Sequence, residues 1–283
     1  MAVVRSEFVP DPTLSTAEME ALQRDIADVA VFADEFDFDP AAVAIDGPAG
    51  QATLGESATS ATTDDTDRPL VAGVDQAFVD DRAVSAVVVL RGREVVERVW
   101  AVEETEIPYV PGLLSFREGG AILAAFEALA CVPDVVFVDG SGRIHYREAG
   151  LATHIGVTLD VPTIGVAKNL LCGRPRESLD RKLPEGARVA IEADAEVETS
   201  VVSKTRRADG DPVDADGTRI GYAVQSRQYD SSSQYINPLI VSPGHRVSAE
   251  TAADLALATA AGYKLPEPTR LADAYADSVK GER

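Results

Sequence analysis

Apolar side chains recur at Met19, Leu22, Ile26, Val29 and Phe32. That spacing predicts an amphipathic helix over residues 15–33, capped at Ser15 or Thr16. The pattern then dissolves: residues 38–68 mix Gly, Ala, Thr, Ser and Asp and end in Ser-Ala-Thr-Thr-Asp-Asp-Thr-Asp-Arg. Few large apolar groups are present to offset the ordering entropy, so a long mobile loop is expected. From Pro69 onward, β-type segments at 70–78, 83–90 and 94–102 follow one another across connections short enough to force antiparallel neighbours. A helix from about residue 115 to 129, a strand at 135–138, a helix around 148–159 and a strand at 162–166 come next. The order βββ-α-β-α-β predicts an α/β fold, a mixed sheet with helices on its faces. Further strands are read at 188–191, 220–225 and 238–241, a surface loop at 205–218 and a closing helix at 248–262, with no internal repeat.

The chain has 283 residues, 45% of them apolar, ample for a buried core. No run of 18 or more apolar residues occurs, and the opening Met-Ala-Val-Val-Arg-Ser-Glu-Phe soon turns acidic, so a soluble cytoplasmic protein with no membrane partner is expected. Cys131 and Cys172 are too few for a disulfide framework and read as buried reduced thiols. Charge changes the picture more. With 47 acidic against 26 basic residues the net charge is −21, which repels nucleic acid in ordinary buffer. Lysine occurs only at 168, 182, 204, 264 and 280, aspartate is abundant and the apolar residues are mostly Ala and Val. These are features of a protein working in very high salt, where a Debye length of about 3 Å or less confines charge effects to contact distance.

Candidate chemistry begins at Val135-Val-Phe-Val-Asp-Gly-Ser-Gly142, an apolar strand that delivers Asp139 into a glycine-rich turn. A strand-end Asp also simply starts a turn, so its neighbours decide. Asp75 lies mid-strand among Ala72, Val74 and Phe78, where a buried carboxylate needs a cation or a hydrogen bond; the alternative is a solvent-facing position. Glu118 follows Ser115 at the spacing of a capping box, or else aims its carboxylate at the rim that holds Asp139. Parallel pairing of the first strand with 135–138 would set Asp75 beside Asp139. Three converging carboxylates would repel and raise one another's pKa, and Mg²⁺ or Mn²⁺ would resolve this. Histidine occurs only at 145, 154 and 245. His245, in a Pro-Gly-His-Arg turn, is either a partly exposed base or an ordinary turn residue, and His145 and His154 are read as polar contacts in a loop and a helix. Lys168, just past a buried strand, is either a phosphate contact or a surface lysine. Pro108-Tyr-Val-Pro111 stiffens Tyr109 between prolines, as a wedge into stacked bases requires and as a plain loop also does.

Four segments carry a resemblance: Pro108-Tyr-Val-Pro-Gly-Leu-Leu-Ser-Phe-Arg-Glu118, Pro133-Asp-Val-Val-Phe-Val-Asp-Gly-Ser-Gly142, Asp160-Val-Pro-Thr-Ile-Gly-Val-Ala-Lys168 and Ser242-Pro-Gly-His-Arg-Val-Ser248. Together and in this order they resemble the endonuclease V family, from about Pro69 to Asp273. The resemblance implies a ribonuclease H-like fold and a Mg²⁺-dependent endonuclease, Mn²⁺ substituting, that nicks DNA at the second phosphodiester 3′ to a deaminated purine such as deoxyinosine. It further implies metal ligation by Asp75, Glu118 and Asp139, His245 near the attacking water and Lys168 facing the scissile phosphate. Tyr109, with Pro108, Val110 and Pro111, would form the strand-separating wedge. The flipped base would enter a pocket lined by Gly112, Leu114, Gly140 and Leu151, with His145 and His154 as further substrate contacts. On this reading residues 1–37 are a helical extension, 38–68 a loop, 69–275 the catalytic domain and 276–283 a tail, and the enzyme acts as a monomer. Three positions depart from the family: Ser141 stands where His is common, Gln76 replaces an apolar residue and Phe78 a frequent Tyr. An inosine-directed ribonuclease and a non-catalytic nucleic-acid-binding protein are the competing readings.

Overall fold

The computed structural model describes residues 1–47, 49, 67–200, 217–231 and 234–281. The loop expected at 38–68 falls outside the described residues at 48 and 50–66, and the one expected at 205–218 at 205–216. The first helix, α1 (Thr16–Val29), is capped by Ser15, whose side chain accepts from the Glu18 amide while the Glu18 carboxylate accepts from the Ser15 amide. It packs Ile26 and Ala27 against Ala149 and Val157. The chain before α1 is tied to the body: the Val4 and Arg5 amides donate to Thr158 O at 3.0 Å, and His154 Nε2 bonds Phe8 O at 2.7 Å. The described beginning of the 38–68 stretch is packed too, contrary to the expectation. Val43 and Ile45 are buried, and the Ile45 amide donates to Ala258 O at 3.0 Å. Small apolar residues suffice there because a helix end receives them.

Among the described residues nine strands form one sheet: β1 (Leu70–Val79), β2 (Arg82–Arg91), β3 (Glu94–Glu104), β4 (Val135–Asp139), β5 (Thr163–Ala167), β6 (Arg174–Pro175), β7 (Arg188–Glu192), β8 (Arg219–Val224) and β9 (Leu239–His245). Their order is β3-β2-β1-β4-β5-β9-β8-β7-β6. β1, β4 and β5 are parallel neighbours and every other pairing is antiparallel. This is the mixed sheet that the pattern predicts.

Alternation sorts the two faces. Ala72, Val74, Val136 and Val138 pack against α2 (Leu114–Glu127) and α3 (Leu151–Leu159). Val71, Val135 and Phe137 join the opposite core with α4 (Ala249–Ala258). On that second side lies α5 (Glu267–Val279), which the pattern did not reveal and which runs through the first part of the stretch read as a tail. Its apolar stripe is Leu271, Ala272, Tyr275, Ala276 and Val279, and Pro266-Glu-Pro reads as a turn although proline suits the first turn of a helix. The helix fits closely because β1 carries Gly73: a Cβ there would lie 2.1 Å from the Pro268 backbone. Both cysteines are free, Cys172 buried and Cys131 only half-buried against Glu97. No described helix is long and apolar enough to cross a membrane.

Candidate active site

The parallel register pairs Val71 with Val135 and Val74 with Val138. One step further, Asp75 and Asp139 stand side by side on the face that α5 covers, where the β1–β4 pairing ends: Asp139 closes β4 while Asp75 lies mid-way along β1, at the carboxyl edge of the parallel strands where open α/β sheets bind ligands. Asp75 is 7% exposed and lies within hydrogen-bonding reach of two carboxylates, Asp139 and Asp273. Burial first, and then the Asp139 charge, push its carboxyl far above the usual range. Asp273 is supplied by α5, and sequence reasoning missed it. It sits in a charged helical stretch beside Asp277, where an aspartate reads as part of a solvated face; the available signal was its place at the very end of the family resemblance.

Glu118 comes from the other side of the sheet, on the stripe of α2 that also carries Ile122, Ala125 and Phe126 into the core. The capping-box alternative is excluded: α2 begins at Leu114 with no side-chain cap, and Ser115 Oγ has no partner among the described residues. Burial raises Glu118 to about 7, with Arg117 opposing and the Asp139 charge adding to the rise. Among the described residues no three His, Cys, Asp or Glu side chains are gathered tightly enough to close a full ligand cage. Mg²⁺ asks for less, one or two carboxylates and several retained waters. A hard-oxygen donor set in which neighbouring carboxylates are held close against their own repulsion fits such an ion.

Lys168 Nζ lies 3.6 Å from Asp139 Oδ2. Asp139 chiefly, with Asp75 and Asp273, raises the lysine pKa against some desolvation, so the ammonium persists at the rim. Beside it a cavity of about 260 Å³ is lined by Gly112, Leu114, Gly140, Ser141, His145 and Leu151, among others. Its floor depends on backbone that only glycine adopts readily: Gly140 has φ +152° and Gly112 φ +82°. Tyr109, 61% exposed, stands at the mouth, and Pro108, Val110 and Pro111 flank it on the surface. His145 donates from Nε2 to Gly112 O at 3.0 Å, because its Nδ1 accepts from the Arg147 amide. Burial lowers its pKa to about 4, so the ring is neutral.

Two histidines expected at the site are elsewhere. His245 is fully buried, its Nδ1 accepting from the Val31 amide at 3.1 Å and its Nε2 bonded to Asp160 Oδ1 at 3.2 Å. It pairs with Thr163, which is level with Val136, three residues before Asp139 on β4. That puts it about 10 Å back along the strands, under the sheet's other end. It cannot serve a water at the carboxylates; it ties α1 and the β9 corner together. His154, also without exposure, is held under the amino-terminal segment by Phe8 and does not line the cavity beside Lys168. His245 was read as a partly exposed turn residue, whereas a backbone amide and the Asp160 carboxylate hold it buried; His154 is the polar contact in a helix that its residues suggested, and not the substrate contact that the resemblance implied.

Comparison with known proteins agrees with the fold. A family model described as Endonuclease V matches residues 54–274. An Endonuclease V of Haloarcula marismortui is 65% identical over 277 residues, covering 98% of this chain and 97% of that protein. The crystal structure of Endonuclease V from Streptomyces avermitilis superposes with a TM-score of 0.65 at 30% identity, covering 100% of this chain and 99% of the other. A Ciona intestinalis Endonuclease V, solved in complex with a 24mer DNA containing an inosine followed by a ribo-adenosine, shares the fold at 22% identity with a TM-score of 0.63, over 93% of this chain and 95% of that one.

Proposed function

This chain belongs to the endonuclease V family of nucleases, and from that premise we propose that it repairs DNA by nicking the second phosphodiester 3′ to a deaminated purine such as deoxyinosine, as a cytoplasmic monomer. The observation that carries the reading is the pair of carboxylates, Asp75 in mid-β1 and Asp139 at the end of β4, abutting with Asp273 in reach of Asp75. Asp75 and Asp139 would hold Mg²⁺ or Mn²⁺, with Glu118 and Asp273 completing its surroundings through water. A divalent ion bound there would supply an activated water and offset charge on the departing 3′ oxygen.

The chain's own groups do the rest. Lys168 would orient the scissile phosphate beside Asp139 while its ammonium stays charged. The cavity beneath Tyr109 would take the flipped base, and hypoxanthine, weakly paired, costs less to extrude than a normal purine. Ser141 lines that cavity and gives it a small hydroxyl there. Tyr109 and its flanking prolines would fill the gap left in the duplex. The test uses matched DNA and RNA oligonucleotides carrying one inosine, in concentrated KCl with Mg²⁺. A nick one nucleotide 3′ of the inosine in DNA is expected. Cleavage of RNA alone would move the activity to RNA metabolism, and binding without cleavage would refute it.

A further inference from the structure

Gln23 reaches the cavity from α1, outside residues 54–274 that the family model matches. It is 1% exposed, and its amide is held at both ends. Nε2 donates to Gly112 O at 2.7 Å, and Oε1 accepts from Arg147 Nη1 at 3.2 Å. Arg147 is itself fixed, its other guanidinium nitrogen 2.5 Å from Glu20 Oε1. The amide therefore cannot be flipped: arginine only donates and a carbonyl only accepts. Gly112 O receives donors from both Gln23 and His145, which fills its two lone pairs. The Gln23–Gly112–His145 cluster has one donor left for a ligand, the second hydrogen on Gln23 Nε2, which has no other partner among the described residues and lines the cavity with Ser115 Oγ, likewise without a partner there.

We propose that Gln23 is a specificity-determining residue whose remaining Nε2 hydrogen meets the 6-keto oxygen of a flipped 6-oxopurine. The proposal rests on the reading of this cavity as the base pocket. A keto oxygen satisfies the buried donor. The exocyclic amino group of adenine would set donor against donor and leave the amide unpaired, a difference that a site built to hydrogen-bond its substrate turns into discrimination. Because Arg147 and Glu20 orient the amide before the base arrives, no reorganisation is needed on binding.

The experiment compares single-turnover cleavage of two duplexes, one with deoxyinosine and one with unsubstituted purine deoxyriboside, which lacks the 6-oxygen, at the same position. Wild type should prefer inosine. In Gln23→Met, nearly isosteric and apolar, the inosine rate should fall toward that of the purine analogue, narrowing the ratio by roughly five- to tenfold, the worth of one hydrogen bond. Gln23→Glu, isosteric but without the donor when ionised, should narrow it likewise and serves if the methionine variant fails to fold. An unchanged ratio, or equal slowing of both duplexes, would overturn the proposal and leave Gln23 a support for the Gly112 turn. Failure of wild type to cut either duplex would instead count against the proposed function.

Discussion

Among single residues, Asp75 combines the two properties that matter most here: it is buried, and it abuts another carboxylate. Ala72 and Val74 beside it in β1 made the burial legible, although Phe78 is exposed, and parallel pairing with residues 135–138 made the abutment legible. The histidines were misread for lack of any such local sign; whether a Gly-His-Arg segment is a surface turn or the buried end of a strand depends on Asp160, far away in sequence. Asp273 was equally silent, since its meaning comes only from the packing of α5 on Gly73. Asp75→Asn keeps the shape and relieves the cost of holding this carboxyl protonated in a buried site beside Asp139. The variant should be more stable than wild type in chelator, on the order of 1–2 kcal/mol, yet gain no further melting temperature on adding Mn²⁺, whereas wild type should gain with concentration as a linked ligand requires. A thermal-shift titration reads both effects, and equal Mn²⁺ shifts in the two proteins would remove Asp75 from the ion's surroundings.

Elements with strong periodicity were the readable ones. α1 and the antiparallel β1–β3 ladder announce themselves through apolar spacing and short connections. The β4 strand does so through a run of four apolar residues ending in Asp139. α5 was missed although Leu271, Ala272, Tyr275, Ala276 and Val279 have helical spacing, because Pro266-Glu-Pro at its start reads as a turn. Its position is set by backbone contact with β1. Gly73→Ala should accordingly displace the start of α5, costing about 1–3 kcal/mol by overpacking, and withdraw Asp273 from Asp75. Equilibrium unfolding and nicking rate measured on this variant should fall together. Wild-type stability would show that α5 does not rest on β1 as described.

At the scale of the whole molecule, charge and burial set how stability follows conditions. His145 and His154 are lowered to about 4 from the ordinary 6.5, both chiefly by burial. The folded state then binds fewer protons than the unfolded state between those values, so their contribution is intact above pH 6.5 and is lost as pH falls toward 4. Replacing His154 by Gln should reduce the slope of stability against pH in that window by nearly one proton; identical slopes would show that His154 is not held neutral. The charge of −21 should make the protein more stable in multimolar KCl than in dilute buffer, and a melting temperature indifferent to KCl would dismiss the high-salt reading. High salt also explains how so acidic a surface approaches a polyanion: only contacts at the rim count, and there the carboxylates that an ion would bridge sit beside Lys168. The most direct test of that account is the single-turnover nicking rate on inosine DNA with Mg²⁺ for wild type, Asp139→Asn, Asp273→Asn and His245→Ala, each checked for folding. Loss of nicking in the two aspartate variants, with His245→Ala folded and near wild-type rate, is the predicted result. An active Asp139→Asn enzyme, or a folded His245→Ala protein that no longer cuts, would contradict it.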